Sequence, residues 1–107
     1  MADDVERAFH EAMVAIYTTA KRDLGYNATR FLQMITDVGG LAAARKLLHA
    51  SAVSEGFTTP WEHRRLDLSV EAHVLRPEFE LLFTDSERRI AERRLKDYGF
   101  GGDIEGR

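Results

Sequence analysis

Apolar residues recur at three- and four-residue steps from the start of the chain to Leu24, which is the repeat of one helix face. Gly25 follows, and Lys21 and Arg22 suit the negative C-terminal end of a helix. The pattern predicts a long first helix over Asp3–Leu24. Its apolar face comprises Val5, Phe9, Ala12, Met13, Ile16, Tyr17, Ala20 and Leu24. Such a stripe forms either one wall of an internal core or a coiled-coil seam between chains, and we favour the core.

The next apolar stretch is interrupted by two adjacent glycines, Gly39 and Gly40. We expect one helix over Ala28–Val38, capped by Asn27, and another from Leu41 to about His49. Gly39 suits the left-handed residue that follows a helix, and Gly40 suits the N-cap of the next one. Because almost no linker remains, the two helices should meet at a sharp angle. This arrangement fits a plain helix corner or a helix-turn-helix.

The second half of the chain predicts several shorter helices. Thr59-Pro60-Trp61-Glu62 and Thr84-Asp85-Ser86-Glu87 both carry the threonine-to-glutamate spacing of a capping box. We therefore expect a short helix from Pro60 to about Arg65, with Trp61 as a core anchor. We expect a last helix over Asp85–Tyr98, closed by Gly99.

The stretch Leu66–Val74 alternates apolar and polar residues, which taken alone is a strand pattern. No other segment offers a matching strand, and an isolated strand cannot satisfy its backbone. We therefore expect a helix from about Ser69 to Leu75, capped by Asp67 or Ser69, and a further helical turn from Pro77. The fold class predicted is all-α: a compact orthogonal bundle of one longer and about five short helices.

The bulk composition fits one folded unit. The chain has 107 residues, 44% of them hydrophobic and 31% charged, and its formal net charge is −3. We expect a single helical domain over residues 1–100 and an unstructured tail over residues 101–107. The tail ends in Ile-Glu-Gly-Arg, the recognition sequence of a protease used to remove purification tags, so the tail is left out of the fold prediction.

The same composition narrows the function classes. There is no cysteine, which excludes a disulfide, a zinc-thiolate site and a cysteine nucleophile. No apolar run approaches the ~20 residues that span a bilayer, and the N-terminus lacks the features of a signal peptide. These features lead us to expect a cytoplasmic protein with no membrane contact.

No grouping of residues marks a catalytic or metal site. The four histidines are scattered, and none forms a His-Glu-x-x-His pair. We therefore predict no catalytic residue, no metal and no cofactor. A small metal enzyme using Glu6, His10 or Glu71 is the weakest hypothesis, and it needs a cleft that gathers those side chains.

Basic residues occur in two groups that nucleic acid could use. Arg45, Lys46 and His49 lie on the outward side of the third predicted helix, and Arg64 and Arg65 lie on the next element. With the glycine corner, they loosely match a helix-turn-helix and could converge on phosphates. The last helix carries a further cluster: Arg88, Arg89, Arg93, Arg94 and Lys96, interleaved with Glu87, Glu92 and Asp97. Mixed signs of this kind are typical of a solvated helix face.

A series of short motifs follows Gly25 in a fixed order. They are Tyr26–Leu32, Gly39–Leu41, Gly56–Thr59, Arg65–Glu71, Pro77–Phe79, Leu82–Thr84 and Tyr98–Gly99. This order resembles a group of small bacterial helical proteins and appended modules for which no activity is known. The resemblance implies a bacterial origin and a compact helical unit, and it carries over no functional residue.

The function favoured by these patterns is a non-enzymatic protein–protein interaction module, either an adaptor or a self-associating protein. Its expected contact surface comprises Phe9, Met13, Tyr17 and Trp61. The alternative is nucleic-acid binding through Arg45, Lys46, His49, Arg64 and Arg65.

Overall fold

Helices make up most of the structure, a computed structural model that describes residues 2–100 and has no strand in that range. The α-helices are α1 (Ala2–Leu24), α2 (Thr29–Val38), α3 (Gly40–Leu48), α4 (Glu55–Glu62), α5 (Val70–Val74) and α6 (Asp85–Asp97). A first 3₁₀ turn (Leu66–Leu68) precedes α5, and a second 3₁₀ turn (Pro77–Leu82) joins α5 to α6. The predicted all-α bundle of one longer and about five short helices is confirmed. The tail predicted for residues 101–107 lies outside the described residues.

The main core lies along the apolar face of α1. Phe9 and Met13 have no exposed surface, and Ile16 and Ala20 are also buried. Phe9 meets two rings edge-on, with 5.0 Å between its centroid and that of Phe79 and 5.2 Å to that of Phe83. The other buried members come from α2, α3, α5 and α6: Ile35, Ala43, Ala44, Leu48, Val70, Val74 and Ala91. The stripe on α1 is therefore an internal wall, as favoured from the sequence.

A second, smaller cluster lies beneath α4. Phe57, Leu66 and Leu95 are buried in it, and Tyr98 packs against it from the end of α6. This cluster joins α4, the first 3₁₀ turn and α6, so it fixes the position of Trp61 at the end of α4.

A single residue, Gly39, joins α2 to α3. Its N–H donates to the carbonyl of Ile35 at 2.8 Å, and its own carbonyl accepts from the N–H of Ala43 at 3.0 Å. The predicted need for a positive φ is met at +89°, but ψ is 158°, so the residue is extended and not left-handed helical. Gly40 is the first residue of α3 and not its N-cap. A Cβ at Gly40 would lie 2.7 Å from Cα of His10, so glycine permits the close approach of α3 to α1.

The helix predicted from Pro60 to Arg65 is wrong. The helix begins five residues earlier, at Glu55, and Pro60 lies inside it. Burial of Phe57 and Pro60 decides the position of α4. Proline costs little here, because its missing N–H removes only one hydrogen bond and the helix ends two residues later. Tertiary packing here outweighs the capping-box signal.

The cap predicted at Asn27 is also wrong. Its side-chain oxygen accepts a hydrogen bond from the Tyr17 hydroxyl at 2.7 Å, and α2 begins at Thr29 without a side-chain cap. Two other caps are confirmed. The Ser69 hydroxyl accepts from the N–H of Ala72 at the start of α5, and Thr84 and Glu87 form the complete capping box of α6.

The close contact at Gly40 generates a stability prediction. Gly40→Ala should lower the free energy of unfolding by about 2–3 kcal/mol, because the new methyl group meets backbone and not a flexible side-chain end. The matched control is Gly56→Ala in α4, where a Cβ would lie an ordinary 3.5 Å from Oγ of Ser54. That variant should gain about 0.5–1 kcal/mol. Urea unfolding of both variants measures the difference, and equal effects would contradict the proposed helix contact.

Candidate functional site

Two of the predicted nucleic-acid contacts turn towards a buried carboxylate. His49 Nε2 lies 2.8 Å from Oε2 of Glu87, and Arg45 Nε lies 3.7 Å from the same oxygen. A second nitrogen of Arg45, Nη2, donates to the carbonyl of Leu82 at 2.6 Å. These side chains therefore join α3 to α6 and to the second 3₁₀ turn.

The side chain of Glu87 is buried, yet the pKa of its carboxyl group lies below the ordinary value for glutamate. Burial alone would raise its pKa, but the N–H of Thr84, His49 and the positive charge of Arg45 together hold the pKa below its ordinary value. The carboxylate accepts from Thr84 N–H at 2.9 Å on its other oxygen. The ionised form of Glu87 is therefore part of the folded structure.

In the second predicted basic group, Arg65 also contacts carboxylates of the fold, whereas Arg64 does not. Arg65 Nε lies 3.1 Å from a carboxylate oxygen of Asp67, and its Nη1 lies 3.5 Å from one of Asp23 at the end of α1. Lys46 and Arg64 are exposed, and neither forms an ion pair with any residue in the range 4–100, where the side chains are described. Three of the five predicted residues are thus engaged within the fold.

Two of the four residues expected on the interaction surface do not lie on the surface of the molecule. Phe9 and Met13 have no exposed surface, because the face of α1 that carries them forms the core, so they cannot contact a partner in this fold. Tyr17 is partly exposed, and its hydroxyl is bound to Asn27. Trp61 is 43% exposed, which corrects its predicted role as a core anchor.

The indole of Trp61 is held in place from one side. Its ring meets the ring of Tyr98 edge-on, with centroids 5.2 Å apart and an interplanar angle of 83°. Tyr98 in turn meets the buried ring of Phe57 at 4.9 Å and 74°. This aromatic row runs from the second core cluster to the surface, and it leaves the far side of the indole open to solvent.

A groove of about 560 Å³ lies beside the corner between α2 and α3. Its apolar lining includes Leu41, Ala42 and Val38, of which Val38 is 42% exposed. Glu6 and Lys46 are among its charged residues. Arg45 and His49 also line it, so the groove combines apolar contact area with four charged or ionisable side chains.

An interior ion pair was not foreseen from the sequence. Arg94 Nη1 lies 2.9 Å from Oε2 of Glu71, and both side chains are largely buried. Burial raises the pKa of Glu71 above its ordinary value, although its own backbone N–H and Arg94 act in the opposite direction. The same guanidinium donates to the carbonyls of Leu47, Leu48 and Ala50, at 3.0, 3.3 and 2.8 Å. Arg94 therefore caps the end of α3.

No cleft gathers all three side chains of the metal-enzyme hypothesis, although Glu6 and His10 line one groove together. Glu71 is bound to Arg94 in the interior, and Nδ1 of His10 accepts the N–H of Gly40 at 2.9 Å. Among the side chains of residues 4–100, no three from histidine, aspartate or glutamate form a group that could hold a metal ion. None of the helices described is long and apolar enough to span a bilayer.

Comparison of the chain with protein-family models, with curated proteins and with solved structures gives no match. The motif order noted in the sequence gains no support from these comparisons. The function is therefore argued from the residues and their geometry.

The interior ion pair generates a stability prediction. Arg94→Met should lower the free energy of unfolding by about 3–5 kcal/mol, because it leaves the Glu71 carboxylate buried without its cation and removes the hydrogen bonds to three carbonyls. Adding Glu71→Gln to Arg94→Met should recover part of this loss, since the uncompensated charge is then removed. The neighbouring exposed residue gives the control, and Arg93→Ala should stay within about 0.5 kcal/mol of the wild type. A double variant no more stable than Arg94→Met would contradict a direct ionic contact.

The lowered pKa of Glu87 generates a pH prediction. A carboxyl group whose pKa is lower in the folded chain stabilises the fold above its unfolded value of 4.5, and that contribution is lost as the pH falls through the folded value. Glu87→Gln should therefore be less stable than the wild type by about 1–2 kcal/mol at pH 7. The difference should narrow as the pH falls below 4.5. Chemical unfolding at a series of pH values measures it, and a constant difference would show that the charge of Glu87 is not responsible.

Proposed function

We propose that the protein is a non-enzymatic helical interaction module whose contact surface centres on Trp61 and binds another protein. The observation that carries this proposal is the half-open indole of Trp61, 43% exposed and fixed against Tyr98. A tryptophan that can bury more of its surface on binding is the residue type most enriched among contacts that dominate the energy of protein interfaces.

The rigidity of Trp61 supports the proposal. Because Tyr98 and Phe57 fix the ring from behind, a partner would not have to immobilise it, and less conformational entropy is lost on binding. Glu62, His63 and Arg64 follow directly in the chain and are exposed. Arginine is also enriched in interface centres, so Trp61 and Arg64 together offer an apolar and a charged contact.

Nucleic-acid binding stays the alternative hypothesis. The exposed side chains of Lys46 and Arg64 are available to bind phosphates, whereas those of Arg45, His49 and Arg65 already contact carboxylates. Two cations on separate helices would contribute only a small number of phosphate contacts, and a net charge of −3 opposes the approach of a polyanion. The cytoplasmic location also stays a prediction from the sequence.

The first test uses Trp61 as both the variant and the probe, because it is the only tryptophan in the chain. A protein captured from cell extract by the wild-type chain is purified, and its affinity is measured for the wild type and for Trp61→Ala. We expect the substitution to weaken binding by ~30-fold, the effect of losing a dominant interface contact. The fluorescence of Trp61 should shift to shorter wavelength as the partner covers it.

The matched control is Val38→Ala, since Val38 is equally exposed at 42% but lies at the other corner of the fold. It should leave the affinity unchanged. Equal binding by Trp61→Ala and the wild type would overturn the proposed surface. Salt-sensitive binding of mixed duplex or single-stranded nucleic acid that is lost in Lys46→Ala and Arg64→Ala would favour the alternative.

A further inference from the structure

The chain reverses direction directly after α4, at Arg64. The φ of Arg64 is +60°, in the left-handed region, and within residues 2–100 no other residue except glycine has a positive φ. Its N–H donates to the carbonyl of Trp61 at 3.0 Å, and the N–H of Arg65 donates to the carbonyl of Pro60 at 2.7 Å. These two bonds form a Schellman motif, in which one left-handed residue ends the helix.

Glycine is the residue that such a position favours, because a Cβ in the left-handed region lies too close to the following carbonyl oxygen. The chain uses glycine at two comparable helix ends. Gly99 follows α6 with a φ of +83°, and its N–H donates to the carbonyl of Lys96 at 3.0 Å. Gly25 follows α1 with a φ of +66°. The arginine at position 64 therefore makes the end of α4 less stable than a glycine would.

No ion pair offsets this cost through the side chain. Arg64 is exposed, and it pairs with no carboxylate among the side chains of residues 4–100. Its neighbour Arg65, in contrast, contacts Asp67 and Asp23. The strained backbone position is thus occupied by the arginine whose charge the fold does not use. Backbone strain that persists without a gain in stability is characteristic of residues that function in binding or catalysis.

Arg64 lies directly beside the exposed indole of Trp61. The hydrogen bond between their backbones places both residues in the same turn at the end of α4. Trp61 is 43% exposed and is fixed against Tyr98. A protein that buries the open side of the indole would therefore also come close to the guanidinium of Arg64.

We propose that Arg64 determines the specificity of the Trp61 surface by binding a single carboxylate, an aspartate or glutamate side chain of the partner protein. This inference rests on the proposed function, since it requires a partner at Trp61. A guanidinium group binds both oxygens of a carboxylate through two parallel hydrogen bonds. The exposed Glu62 nearby favours one isolated carboxylate over a polyanion, because a nucleic-acid backbone would bring further phosphates close to Glu62.

Arg64→Gly should have opposite effects on stability and on binding. The loss of backbone strain should raise the midpoint of thermal unfolding by about 4 °C. The matched control is Arg89→Gly, which makes the same change at an exposed arginine inside α6. There glycine weakens a helix interior and should lower the midpoint by about 4 °C. A midpoint for Arg64→Gly no higher than that of the wild type would overturn the proposal.

Partner chemistry is tested with a library of random peptides displayed on phage, selected on the immobilised wild-type chain. We expect the selected peptides to carry aspartate or glutamate close to a large apolar residue. Synthetic copies should bind Arg64→Gly about tenfold more weakly than the wild type and Arg89→Gly equally well. Arg64→Lys should keep part of the affinity, because it retains the charge and loses the two parallel hydrogen bonds.

A change in the peptide identifies the contact. Replacing its acidic residue by the corresponding amide should weaken binding to the wild type by about tenfold and leave binding to Arg64→Gly nearly unchanged. An equal loss with both chains would overturn a direct contact, and so would selected peptides that lack an acidic residue. Salt-sensitive binding of single-stranded nucleic acid that is lost in Arg64→Gly would replace the carboxylate by phosphate and overturn the proposal.

The Trp61→Ala variant separates this inference from the proposed function. Peptides that require Trp61 but bind Arg64→Gly as tightly as the wild type would overturn the role of Arg64 and leave the Trp61 surface supported. Peptides that bind Trp61→Ala as tightly as the wild type would overturn the Trp61 surface itself, and the inference with it.

Discussion

The guanidinium of Arg94 is the contact on which the arrangement of the second half of the fold depends. It binds Glu71 of α5 and three carbonyls at the end of α3 from its own position on α6. A buried carboxylate without this cation would be costly, and the carbonyls of Leu48 and Ala50 would lose their side-chain donor. One side chain therefore sets the relative positions of three helices. Since α3 must also approach α1 closely at Gly40, the constraint extends to the main core.

The inward direction of Arg94 also decides which residues of α6 face outward. With Arg94 on Glu71 and Glu87 on His49, the helix has a fixed rotation about its axis. The stripe of Arg89, Arg93 and Lys96 follows from that rotation, because helix positions three and four apart share a face. The outward face of α6 is thus a consequence of how the interior charges are satisfied.

The parts of the fold that local chemistry determines were predictable from the sequence. The extent of α1, the capping box of α6 and the Ser69 cap of α5 follow from spacings of a few residues. The predictions at Asn27 and Pro60 were wrong, and in both a contact with a distant residue decides the structure. Tyr17 takes the Asn27 side chain, and burial of Phe57 draws the helix start back to Glu55.

The candidate sites were harder to predict, because the pairing of charges depends on which helices meet. Arg45 and Arg64 look alike in the sequence, but only Arg45 has a carboxylate beside it, and that carboxylate belongs to Glu87 in a different helix. Phe9 and Trp61 are both large apolar residues at plausible core positions, and only the packed structure separates them. A spacing rule detects neighbours on one helix and gives no information about partners across the core.

The side chains that join the helices are distinct from those that remain available for binding. Arg45, Glu71, Glu87 and Arg94 are bound by contacts that hold helices together, so their loss would impair binding through unfolding. Trp61, Leu81 and Arg93 make few or no such contacts, and their side chains remain open to water. Binding of another protein at Trp61, the interaction that we propose, would bury the part of the indole that the fold leaves exposed.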